Sequence, residues 1–145
     1  IARLARIKNI VGIKEASGSL KQMNDVIDMC PPVFDVLSGD DGFTLPLMAI
    51  GGRGVISVVS NIVPADMAAM VEAARAGDFK KAGELHKKMS RLFDLLFIEV
   101  NPTPVKAALA MMGKIEYEYR LPLCQMAQAN YEKLKKALLD YGLIT

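Results

Sequence analysis

The sequence predicts an α/β fold, three strand–helix units of a parallel sheet followed by a helical tail, and three observations carry that prediction. Up to Asp78, short apolar runs rich in Val and Ile alternate with amphipathic stretches. The runs begin roughly 20–25 residues apart, the interval of consecutive βα units joined by crossover helices. After Asp78 no strand pattern recurs, and only helical spacing remains.

Each element follows from its residues. Residues 10–14 (IVGIK) are the first strand, apolar at most positions and followed closely by the Ser-Gly-Ser turn. A helix is expected over residues 20–29. Residues 33–37 (VFDVL) form the second strand, closed by Ser-Gly, and lead to a helix over 43–50. Gly51, Gly52 and Gly54 come next. A phosphate-cradling loop needs a strand, then glycines, then a helix N-terminus; here the glycines follow a helix and precede a strand, so they form an αβ turn. The third strand covers residues 54–59 (GVISVV), and the helix over 65–76 ends where Gly77 suits a C-cap.

In the tail, Phe79, Ala82, His86, Met89, Phe93 and Leu96 recur at helical spacing, as do Ala127, Tyr131, Leu134, Leu138 and Tyr141. Between them, NPTPVKAALAMMG carries prolines suited to a helix entry and Gly113 suited to its exit. The chain therefore divides into a strand–helix part, residues 1–78, and a three-helix domain, residues 79–145.

Composition narrows the function. With 52% hydrophobic and 23% charged residues over 145 positions, the chain can bury a core and is no disordered tail. A net charge of +2, with its 18 basic residues scattered, leaves no electrostatic footprint for nucleic acid and no basic amphipathic membrane segment. A small-molecule partner is the expectation. Cys30 and Cys124 form no CxxC pair and His86 stands alone, so neither a structural zinc site nor a disulfide framework is expected. Reduced thiols and apolar runs too short to span a bilayer point to a cytoplasmic protein. Ile1 in place of a methionine suggests a processed or truncated polypeptide.

Three βα units are awkward by themselves. A closed (β/α)8 barrel takes about 250 residues, and three parallel strands leave two edges and one apolar face uncovered. The remaining strands come from a longer chain, from partners, or the sheet is an unusual open one.

Lys14 draws attention in this setting. Side chains alternate along a strand, so Ile10, Gly12 and Lys14 share one face while Val11, Ile13 and Glu15 share the other. Lys14 thus stands at the carboxyl end, where parallel-sheet folds build their sites, with Gly12 below it leaving room for a long side chain or a ligand. A neutral lysine amine attacks ketones to form a Schiff base, and apolar Val and Ile surroundings would enlarge that neutral fraction. The alternative is a lysine whose stem packs while its amine reaches solvent.

The stretches VGIKEASG, FDVLSGDD, GGRGVISVVSN, NPTPVKAAL and RLPL, in this order over nearly the whole chain, together resemble the dihydrodipicolinate synthase family. That family belongs to the pyruvate-dependent class I aldolases, which include N-acetylneuraminate lyase. The resemblance implies a partial TIM (β/α)8 barrel, its sixth, seventh and eighth strands, followed by the family's C-terminal helical domain. It implies that Lys14 condenses with pyruvate, that the main chain at Ile56 contacts the carboxylate region, and that Gly39 lines the pocket of the second substrate, aspartate 4-semialdehyde. The protonated imine is the electron sink, so neither metal nor organic cofactor is implied. SGDD is closer to dihydrodipicolinate synthase than to neuraminate lyase.

The family's tyrosine relay, threonine pair and carboxylate-holding arginine belong to the first half of its barrel and are absent here; Tyr117, Tyr119, Tyr131 and Tyr141 match none of them. These residues alone should have little or no turnover. A homotetramer, a dimer of tight dimers, is implied for the full-length protein, with Leu20 and Ile50 near the looser contact. A non-catalytic half-barrel that associates for structural reasons is the competing expectation.

The remaining polar residues have plainer expectations. Asp40 and Asp41 fall where a helix begins, so at least one should cap it and the other line the pocket. Glu15 points away from Lys14 and is expected in an ion pair or an indirect supporting role. His86 is expected on a helix surface, and Arg53 at the end of the strands away from the chemistry.

Overall fold

The computed structural model describes residues 1–145. Three short strands, β1 (Gly12–Glu15), β2 (Asp35–Ser38) and β3 (Gly54–Val55), form one parallel sheet in the order β1-β2-β3. The register pairs Gly12 with Asp35, Lys14 with Leu37, and Leu37 with Gly54. Helices α1 (Leu20–Met29) and α2 (Thr44–Ala49) connect the strands, and α3 (Pro64–Arg75) follows the last. The tail supplies α4 (Phe79–Leu95), α5 (Thr103–Met111) and α6 (Gln128–Tyr141).

Local chemistry sets the helix ends. Ser19 caps α1 by accepting the Gln22 N–H, and Asp78 caps α4 by accepting that of Lys81. Gly77 and Gly113 adopt φ of 79° and 68°, the left-handed conformation a C-terminal glycine supplies cheaply. Gly51 and Gly54 also have positive φ, as an αβ turn requires.

The strands are shorter than the apolar runs. Val33 is 85% exposed, because the Phe34 N–H closes a turn on the Pro31 carbonyl before β2 begins. The third run leaves strand geometry after Val55. The Val58 and Val59 amides bond the Asp41 carboxylate, and a 3-10 turn starts at Val59.

Gly12 leaves no room above it. A Cβ there would lie 2.5 Å from the Asp35 carbonyl oxygen, so this glycine permits the close approach of β1 to β2. Gly12→Ala should destabilise the chain by about 1–3 kcal/mol, the usual penalty of overpacking, read as a lower urea midpoint at unchanged slope.

Two apolar clusters form. Met23, Val26, Phe34, Val36 and Leu47, joined by half-buried Ile13, pack α1 and α2 onto one face of the sheet. The larger cluster runs without interruption from Val59 through Met67, Met70, Met89, Leu92 and Val105 to Leu134 and Leu138. Polar ties follow the same route: Asp66 of α3 accepts from Lys88 of α4 at 2.6 Å and from the Tyr141 hydroxyl of α6 at 2.5 Å.

His86 is half-buried rather than a surface residue, because α4 turns it onto Phe93, with ring centroids 5.3 Å apart. Its Nδ1 is buried without a partner, and burial holds the imidazole below its ordinary value. The unfolded chain therefore takes up this proton first. Stability should fall as pH drops below about 6.5 and level off beneath the folded-state value; His86→Gln should flatten that slope in urea titrations across the range.

Candidate active site

The sheet has one face on the helices and one open. Ile13, Glu15, Val36 and Ser38 point to the helices and are buried or half-buried, whereas Lys14, Asp35 and Ile56 are exposed. Lys14 therefore stands where strand alternation placed it, at the carboxyl end of β1 on the open face. The apolar enclosure expected around its amine is not formed by these residues: Lys14 is exposed, and the neighbouring Ile13 turns to the helices on the other face.

Gly39 bears directly on the lysine. A Cβ at this position would sit 2.9 Å from Cε and 3.1 Å from Cγ of Lys14, and 2.6 Å from Cβ of Ala16. The absent side chain is the space the lysine stem occupies. Gly39→Ala should push Lys14 from its path, and slowed modification of Lys14 by a carbonyl reagent, with little change in the circular dichroism spectrum, would show it.

Two main-chain bonds extend the ladder past the strand ends. The Gly39 N–H donates to the Glu15 carbonyl at 2.6 Å, and the Ile56 N–H donates to the Ser38 carbonyl at 2.8 Å. Lys14, Gly39 and Ile56 thus come together across the carboxyl ends of three adjacent strands. Arg53, by contrast, pairs with Asp35 at 3.6 Å and donates to the Pro32 carbonyl, at the opposite end of the strands.

The acidic residues meet their expectations in part. Glu15 makes no ion pair. It is 3% exposed, and its Oε1 accepts from the Ser17 N–H at 3.1 Å and from the Gln22 amide at 2.9 Å, tying the turn after Lys14 to α1. Asp40 is the cap, accepting the Gly42 N–H at 2.8 Å. It also borders a cavity of about 400 Å³ with Phe43, Phe93, Asp94 and Phe97. Asp41 does not border this cavity: it is buried, and its Oδ2 accepts from the Val58 and Val59 N–H groups. The SGDD spacing carries no local signal for this, because the partners lie 17 and 18 residues away. No helix is long and apolar enough to cross a membrane.

Consecutive parallel strand–helix units with a lysine amine and main-chain groups at the strands' carboxyl ends define a protein of the parallel α/β class. The chain belongs to the dihydrodipicolinate synthetase family, whose model matches residues 1–140. It is 65% identical over 144 residues to 4-hydroxy-tetrahydrodipicolinate synthase of Syntrophus aciditrophicus (strain SB), covering 99% of this chain and 50% of that relative. Among solved structures it is similar to a chloride-inhibited dihydrodipicolinate synthase from Acinetobacter baumannii complexed with pyruvate, with a TM-score of 0.94 and 43% identity over 99% of this chain and 49% of that one. A monomeric dihydrodipicolinate synthase variant gives a TM-score of 0.94 at 42% identity, over 99% of this chain and 49% of that one. The chain spans about half the length of the curated relatives it matches.

Proposed function

We propose that this chain is the imine-forming part of a 4-hydroxy-tetrahydrodipicolinate synthase, a lyase that condenses pyruvate with aspartate 4-semialdehyde. The observation that carries this reading is Lys14 on the open face at the carboxyl end of β1, its stem laid against Gly39. The neutral amine attacks the ketone carbon of pyruvate, and loss of water gives the imine. Loss of a proton from the methyl carbon then gives an enamine, which attacks the aldehyde carbon of the semialdehyde. Cyclisation releases the lysine. Ile56 contributes main-chain contact to the carboxylate region and Gly39 shapes the second substrate's pocket.

In this proposal the three strands are the sixth to eighth of a (β/α)8 barrel, residues 1–78 are its final part, and residues 79–145 are the appended helical domain. The half-length match to full synthases supports this assignment. With no tyrosine relay or arginine clamp, the chain alone turns over little or nothing. The full-length protein would be a cytoplasmic homotetramer, with Leu20 and Ile50 near the looser contact; the monomeric relative makes assembly a property to be measured on its own.

Borohydride reduction in the presence of pyruvate, followed by peptide mass spectrometry, tests the first step. One reduced pyruvate on Lys14 is expected. A folded sample that never gains that adduct favours the second reading, a non-catalytic half-barrel module, which the exposure of Lys14 favours. Condensation with the semialdehyde but not with N-acetylmannosamine, measured on the full-length protein, separates the synthase from a neuraminate lyase.

A further inference from the structure

Asp41 is 1% exposed, and a polar side chain so far out of water is held in place by the hydrogen bonds it makes. Its Oδ2 accepts from the Val58 N–H at 3.0 Å and the Val59 N–H at 2.9 Å, while Oδ1 is buried without a partner. The turn that carries it, Asp41–Phe43, is itself capped by Asp40. Asp41 thus bolts the loop after β2 to the loop after β3. The main chain from Ile56 to Val58 is held at both ends, by the Ser38 carbonyl at Ile56 and by Asp41 at Val58.

Resting on the reading above, we infer that Asp41 is a positioning residue: its buried carboxylate sets the path of the main chain at Ile56 and so the seat of the keto acid's carboxylate beside Lys14. Two successive amides converging on one buried oxygen are held in distance and direction by hydrogen-bond geometry. Ile56 could not drift while both persist. The carboxylate never touches substrate, and its effect is confined to ketones that carry the group this main chain meets.

The test compares borohydride trapping of pyruvate and of acetone, which lacks a carboxylate, on the parent chain, D41N and D41L. D41N keeps an acceptor oxygen for the two amides, and D41L keeps none. In D41L the initial rate of pyruvate trapping at Lys14 should fall by up to about a hundredfold, the scale set by small misplacements of reacting groups, while acetone trapping stays at the parent rate. D41N should fall between them. Should D41L fail to fold, the pyruvate-to-acetone ratio of D41N decides: a ratio below the parent's supports the role. An unchanged ratio in the folded variants overturns it. A parent chain that traps neither ketone overturns the functional reading and this inference together, so the two failures are told apart.

Discussion

Lys14→Arg is expected to abolish the borohydride-trapped pyruvate adduct while leaving the fold intact. The guanidinium keeps the positive charge and a similar length, but it does not give up its proton near neutral pH and so offers no free electron pair to a ketone carbon. The side chain is exposed on the open face, with its carbon stem beside Gly39. Little stability is at stake. Unchanged circular dichroism and urea midpoint, together with complete loss of the adduct, are the expected pair of results; adduct persisting at another lysine would move the chemistry away from the end of β1.

The largest loss of stability is expected from Leu134→Ala. Leu134 is 0% exposed in the cluster that also holds Met67 and Met70 of α3 and Met89 of α4. Truncating a fully buried leucine costs about 2–5 kcal/mol, a transfer loss plus a cavity, against a total of about 5–15 kcal/mol for an ordinary domain. Because the cluster is continuous, the damage should not stay in the tail. Amide exchange should quicken in α3 as well as in α4 and α6, with a lower urea midpoint. Faster exchange limited to α6 would show that the helical tail opens alone.

Most of the element positions were legible. Helix α1 coincides with its predicted span, and α3 begins one residue earlier than expected, at Pro64. Capping chemistry and apolar periodicity act within a few residues, so a linear reading recovers them. The strands were legible in place but not in length. An apolar run reports that residues avoid water, not that they pair, and the third run is diverted after Val55 by Asp41.

The direction of Lys14 was also legible, because alternation on a strand is a local rule. Its surroundings were not. Gly12 was expected to make room and instead admits the Asp35 backbone; the glycine that does make room for the lysine is Gly39. Both facts depend on register, which pairs residues more than twenty positions apart. His86 was misplaced for a related reason: one face of α4 packs against other helices, and only the packing shows on which side a residue at the boundary falls.

By itself, then, the sequence determined the α/β class, the order of the elements, and the face and end of the strand on which Lys14 stands, since each follows from chemistry acting over a few neighbouring residues. The tertiary structure decided which carboxylates are buried and what they hold, Glu15 on the turn after Lys14 and Asp41 on the turn after Ile56. Burial is a property of distant segments meeting. No spacing within the chain states which amides a carboxylate will find.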